Sequence, residues 1–168
     1  AGMGYSQAGF EVVGVDIAAQ PRYPFSFIQA DVLSLDPEWV ASFDAIHASP
    51  PCQGYSIMNN LPWLRKRQYP LLILPVREMF RAINAESGKP WVIENVEGAP
   101  LSRGSVTLCG TMFGLRTRRR GGSYRNGGTL AMWRIPPLIA ALSFFFASAR
   151  VDSIRAVTEA FKIMLKNP

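Results

Sequence analysis

The chain has 168 residues, of which 48% are hydrophobic and 18% charged, with a formal charge of +6. This composition suits one domain of ordinary size with a sizeable core and excludes a wholly unfolded chain. No apolar run reaches the ~20 residues that cross a bilayer, and two cysteines, Cys52 and Cys109, exclude a disulfide framework.

The first predicted elements are short. Tyr5 to Ala8 has the character of a helix end closed by Gly9, preceded by a Gly-rich turn at Gly2-Met3-Gly4. Three segments, Glu11 to Ile17, Phe43 to Ala48 and Trp91 to Val96, are rich in β-branched or aromatic residues. Gly, Pro or Asp bounds each of them, as expected of buried parallel strands. A weaker strand, Ser26 to Gln29, leads into Asp31, and Pro37 to Ser42 suits a short helix. Leu71 to Ala85 places apolar residues at helical spacing, with Pro75 near its first turn or kinking it. Strands alternating with helices indicate an α/β sheet with crossover connections.

Beyond Leu115 the pattern changes. Arg116 to Arg120 is followed by Gly121 to Gly128, expected as a Gly-rich turn or loop. Leu138 to Ala149 is apolar without clear periodicity, and a terminal helix is expected over about residues 152–166. Asp152 or Ser153 would cap it, and Ile154, Val157, Phe161, Met164 and Leu165 would share one face. Charge follows the same division. Residues 1–100 carry 7 Lys+Arg and 10 Asp+Glu, whereas residues 101–168 carry 11 and 2. A net of +9 in the second part points to an anionic partner, nucleic acid before membrane, or to a solvated basic face.

Three places offer chemistry. Gly2, Gly4 and Gly9 precede a strand ending in Asp16, and Asp31 follows the next strand. In doubly wound sheets such a turn admits a cofactor to the backbone, and the strand-end carboxylate accepts from ribose hydroxyls. The plainer role of Asp31 is to cap the turn that follows it. Next, Ser49-Pro50-Pro51-Cys52-Gln53-Gly54-Tyr55-Ser56 leaves the strand Phe43 to Ala48. A cysteine in a loop stiffened by two prolines is well placed as a nucleophile, while Cys109 has no such setting and reads as structural. Finally, Glu94-Asn95-Val96 ends a buried strand. A carboxyl group in partly apolar surroundings can act as a proton donor near neutrality; a salt-bridged carboxylate is the alternative.

These motifs, in one order on successive strand ends, resemble the catalytic domain of the DNA (cytosine-5) methyltransferases from Ala1 to about Arg120. Pro75-Val76-Arg77-Glu78 and Leu108-Cys109-Gly110-Thr111-Met112-Phe113-Gly114-Leu115 add to the likeness. The resemblance implies a Rossmann-like S-adenosylmethionine-dependent methyltransferase fold with a mostly parallel sheet. It is incomplete, because the family's first strand and its Phe-x-Gly sequence would lie before Ala1. Residues 1–120 would form a partial catalytic domain and 121–168 a divergent segment without a target-recognition domain.

By the same resemblance, Cys52 is the nucleophile, Glu94 assists at the cytosine ring, and Arg118 and Arg120 grip the flipped base. Gly2, Gly4, Asp16, Ile17, Asp31, Val32 and Pro51 would hold S-adenosylmethionine. Gln53, Ser56, Asn95, Arg118 and Arg120 would touch double-stranded DNA. No metal is implied. The expected setting is the cytoplasm, bacterial or phage-encoded, as a monomer with no membrane contact. A cognate restriction-modification system is the expected companion.

Three other readings are open. One is an inactive remnant that binds DNA through its basic half. Another is an amino-group methyltransferase, because Ser49-Pro50-Pro51 resembles that class, although Cys52 stands at its aromatic position. An RNA methyltransferase is the third, but it lacks the usual second catalytic cysteine.

Overall fold

A computed structural model of the chain describes residues 1–56, 61–62, 68–96, 98–101, 106–109, 120–126 and 161–166. In chain order the elements are α1 (Gly2–Gln7), β1 (Glu11–Asp16), β2 (Ser26–Gln29) and a 3-10 turn (Val32–Ser34). Then come α2 (Pro37–Ala41), β3 (Ala45–Ser49), α3 (Ile73–Ser87), β4 (Trp91–Asn95), β5 (Val106–Cys109), β6 (Arg120–Asn126) and β7 (Phe161–Lys166). The fold is mixed α/β.

Seven strands form one sheet in the order β2-β1-β7-β3-β4-β6-β5. β1 pairs with β2 in parallel, as β3 does with β4, while β6 and β7 run against their neighbours. The sheet is therefore mixed rather than mostly parallel. β7 lies between β1 and β3 and aligns Met164 with Val13 on one side and Ile46 on the other.

This overturns the terminal helix over its last part. Phe161, Met164 and Leu165, expected on one helical face, belong to a strand, and residues 152–160 lie outside the described residues. The reason is long-range. β1 and β3 each present a row of backbone N–H and C=O groups at the middle of the sheet, and β7 pairs with both rows. Six residues of moderate helical propensity cannot outweigh that hydrogen bonding.

The Gly-rich loop expected from Gly121 is likewise a strand up to Asn126. β6 pairs antiparallel with β4, Asn95 facing Gly122, and with β5, Cys109 facing Arg120. Two ladders override the low strand propensity of adjacent glycines. Leu138 to Ala149 lies outside the described residues.

Side chains of alternating strand positions make two cores. On one face Val15, Ile46, Ala48, Trp91 and Ile93 pack with Val40, Phe43, Val76, Phe80 and Ile83 from α2, α3 and their connections. Phe80 meets Trp91 edge to face at 5.7 Å between ring centres. On the other face Tyr5 and Val12 pack with Phe10, Tyr23, Phe25 and Ala45. Gly14 in β1 leaves room for the Tyr23 ring, whose Cε1 would stand 2.4 Å from a Cβ there.

Helix α3 begins at Ile73, so Pro75 stands in its first turn, where a missing N–H costs nothing. It ends at Gly88, left-handed at φ 69°, with the Gly88 N–H on the Asn84 carbonyl. Among the described residues no helix is long and apolar enough to cross a membrane.

Candidate functional site

β1 and β2 run in parallel, as do β3 and β4, and β7 runs against both β1 and β3. The carboxyl ends of β1, β2, β3 and β4 therefore lie along one edge of the sheet, which is where open α/β sheets gather ligand-binding loops. The Cys52 loop and the Glu94 strand end meet there. β3 and β4 run in register through Ala48 and Ile93, so the chain leaves β3 at Pro50 beside Asn95. The Asn95 Nδ2 amide donates to the Pro50 carbonyl at 2.8 Å, and its Oδ1 accepts from the Val96 N–H at 3.0 Å. Asn95 is 2% exposed. Its amide therefore joins the two loops from within the protein.

The Cys52 carbonyl accepts from the N–H groups of Tyr55 and Ser56 at 3.0 and 2.9 Å, closing a tight turn. Neighbouring segments approach this turn closely. Gly54 lies so near Leu71 that a Cβ would meet its Cδ2 at 2.6 Å. The Tyr55 hydroxyl accepts from the Ile73 N–H at 3.3 Å, at the start of α3. Gly98, beyond β4, approaches the Tyr55 carbonyl, and Arg77 of α3 donates to the Pro100 carbonyl at 3.2 Å. Cys52 is half-buried and forms no disulfide. Gln53 places its amide oxygen in a buried position with no hydrogen bond among the described residues. Ser56 and Glu94 are half-buried, and Pro51 is buried.

At the β1 end, Asp16 is 2% exposed. Its carboxylate accepts from the Ala18 N–H at 3.0 Å and from Gln20 Nε2 at 3.4 Å. Asp31 is exposed and caps the 3-10 turn, accepting from the Leu33 N–H at 3.0 Å. The capping role weighed for it is thus realised, with Oδ1 engaged. Apolar side chains stand open next to both carboxylates: Ile17 is 58% and Leu33 43% exposed. Val32 points instead into the core.

Gly2 and Gly4 sit in the first turn of α1 rather than in a free turn. The space beside Gly2 is filled, since a Cβ would lie 3.0 Å from the Tyr23 hydroxyl and 3.3 Å from the Phe25 ring. A side chain there would have to displace Tyr23 or Phe25 slightly, so packing favours a small residue at this position. The Ala1 amino group is within electrostatic reach of Glu94, although burial dominates and lowers its pKa to about 6.

Arg120 opens β6, two residues before the pairing of Gly122 with Asn95, so its backbone belongs to the same sheet edge. Arg118 lies outside the described residues. Among those described, no group of three or more His, Cys, Asp or Glu could hold a metal ion.

One part of this edge gave no motif. His47, the chain's single histidine, is 1% exposed in β3. Its Nδ1 is hydrogen-bonded to the Tyr5 hydroxyl at 2.8 Å and its Nε2 to the Ser49 hydroxyl at 2.9 Å. Burial, aided by the Ala1 amino group, depresses its pKa to about 3, so the ring is neutral. The available signal was a polar residue amid the apolar strand Phe43 to Ala48, immediately before the Pro-Pro-Cys motif.

In comparisons with known proteins, no family model, curated protein or solved structure matches the chain.

Proposed function

We infer that the chain transfers a methyl group from S-adenosylmethionine to carbon 5 of cytosine in DNA, on a Rossmann-like methyltransferase fold. The observation that carries this reading is the Asn95–Pro50 hydrogen bond. It joins the Pro-Pro-Cys-Gln loop to the Glu-Asn-Val strand end, the two motifs that the sequence shares with the cytosine-5 methyltransferases. Further support comes from the backbone of Arg120 at the same edge.

The residues present fit the cofactor. Asp31 is exposed and keeps one carboxylate oxygen for an amino group, and the exposed Ile17 and Leu33 suit a heteroaromatic ring. The buried Asp16 would take a ribose hydroxyl in place of its 3.4 Å contact with Gln20. When bound, S-adenosylmethionine supplies an electrophilic methyl group.

Cytosine carbon 5 is too weakly nucleophilic to take that group unaided. The Cys52 thiolate bonds to ring carbon 6, breaking the 5,6 double bond and placing an electron pair at carbon 5. Glu94 hydrogen-bonds to or protonates ring nitrogen 3 and disperses the developing charge. Once carbon 5 carries the methyl group, its proton leaves to a base. The Cys52–carbon 6 bond then breaks, which restores the ring and the thiolate. The target base must leave the duplex to be reached, at a cost of a few kcal/mol.

The test is incubation with labelled S-adenosylmethionine and cytosine-rich duplex DNA, with and without 5-fluorocytosine. Label in DNA, a trapped covalent complex and loss of both in Cys52→Ser are expected. Salt-sensitive DNA binding with neither label nor trapped complex would favour the inactive DNA-binding remnant instead.

A further inference from the structure

Tyr5, His47 and Ser49 form a hydrogen-bonded chain from α1 through β3 to the residue that starts the Pro50-Pro51-Cys52 loop. A neutral imidazole donates from one nitrogen and accepts at the other, so the roles of Tyr5 and Ser49 are opposite and linked. The direction follows from burial. Tyr5 is fully buried, and His47 is its hydroxyl's hydrogen-bond partner among the described residues. Accepting from His47 would leave the Tyr5 O–H proton unpaired in the core, which is costly. Tyr5 therefore donates to Nδ1, His47 carries its proton on Nε2, and Nε2–H donates to Ser49 Oγ.

We propose that His47 is a positioning residue that fixes the Cys52 loop to α1 through Tyr5 and Ser49. Ser49 stands three residues before Cys52. Its hydroxyl is held from the α1 side by His47, while the next carbonyl, that of Pro50, is held from β4 by Asn95. With Ser49 and Pro50 both restrained and Pro51 following, little torsional freedom is left before the thiol. The role of His47 in methyl transfer rests on the function inferred above; its control of the thiol loop does not.

Long-range proton–nitrogen NMR on the full chain gives one unambiguous imidazole signal, because the chain has 1 histidine. The Nε2–H tautomer, unchanged between pH 5 and 8, is expected; the Nδ1–H tautomer, or titration near the ordinary value of 6.5, would overturn the proposal.

The second measurement is Cys52 alkylation by iodoacetamide in a Cys109→Ser background. Tyr5→Phe and Ser49→Ala should each change the rate by about five-fold, as expected for one lost hydrogen bond, and together by no more than either alone. Independent, multiplying effects, or none, would contradict the linkage. His47→Gln, which keeps a donor near Ser49 but cannot span to Tyr5, should become insensitive to Tyr5→Phe. Should Tyr5→Phe fail to fold, the tautomer and the Ser49→Ala rate still decide. Absence of methyl transfer with both readouts as expected would refute the inferred reaction and leave the positioning role intact.

Discussion

The Asn95 side-chain amide donates to the carbonyl of Pro50, 45 residues away, at 2.8 Å. It is a direct bond, among the described residues, between the loop that carries Cys52 and the strand end that carries Glu94. Because Asn95 is buried, truncation leaves the Pro50 carbonyl and the Val96 N–H without this partner. Asn95→Ala should lower stability by about 1–3 kcal/mol, read by urea denaturation, and accelerate Cys52 alkylation. Asn95→Asp keeps the acceptor for Val96 but loses the donor to Pro50, so it should loosen the thiol loop as well. Wild-type alkylation rates in both variants would argue against the clamp.

His47 makes stability depend on pH. Its folded pKa, depressed by burial to about 3, lies below the ordinary 6.5. The unfolded chain therefore binds a proton that the folded chain refuses. The contribution is fully present above pH 6.5 and is lost as pH falls toward 3. Between pH 7.5 and 5.0 the loss from this group should be ~2 kcal/mol. His47→Gln should remove that part of the pH dependence, and an unchanged dependence in the variant would assign it to other groups.

β7 holds the sheet together. Among the described strand pairings, β1 joins β2 and β7, and β3 joins β4 and β7. Without β7 the sheet divides into β2-β1 and β3-β4-β6-β5. A proline at Met164, which faces Val13 and Ile46, removes an N–H and cannot be accommodated in a central strand. Met164→Pro should cost at least ~3 kcal/mol, and removal of residues 161–168 should abolish cooperative unfolding followed by circular dichroism. A truncated chain with unchanged unfolding would refute the bridging role.

Gly14 tests the second core. A methyl group there would press on the Tyr23 ring at 2.4 Å, and that ring is packed edge to face against Phe25 and Phe27 at 5.5 and 5.8 Å between centres. The ring cannot withdraw without disturbing both neighbours. Gly14→Ala should therefore destabilise by about 1–3 kcal/mol, and pairing it with Tyr23→Leu should recover part of the loss. Equal denaturation midpoints for Gly14→Ala and wild type would show that the ring moves freely.

Much of the local structure is legible in the residues. The strands Glu11–Asp16, Ser26–Gln29, Ala45–Ser49 and Trp91–Asn95 fall on the β-branched and apolar runs. α3 falls on its helical spacing, ended by Gly88. The order of Asp16, Asp31, Cys52 and Glu94 on successive strand ends is legible too, since parallel strands joined by crossovers bring their carboxyl ends to one edge. The His47 chain was not legible, because nothing in Tyr5, His47 and Ser49 as a sequence says that a residue of the first helix will lie beneath the third strand.

By itself the sequence determined where apolar periodicity makes buried strands and helices, and which reactive side chains leave their ends. Only the tertiary structure decided what Phe161–Lys166 and Arg120–Asn126 become. Lys162, Ile163, Met164 and Leu165 suit a helix face as well as a strand, and Gly121 and Gly122 suit a loop better than either. Their state is set by strand edges more than 20 residues away in the chain, whose unpaired N–H and C=O groups accept any compatible backbone. Hydrogen bonding of that kind depends on the arrangement of the whole sheet and leaves little mark on side-chain identity.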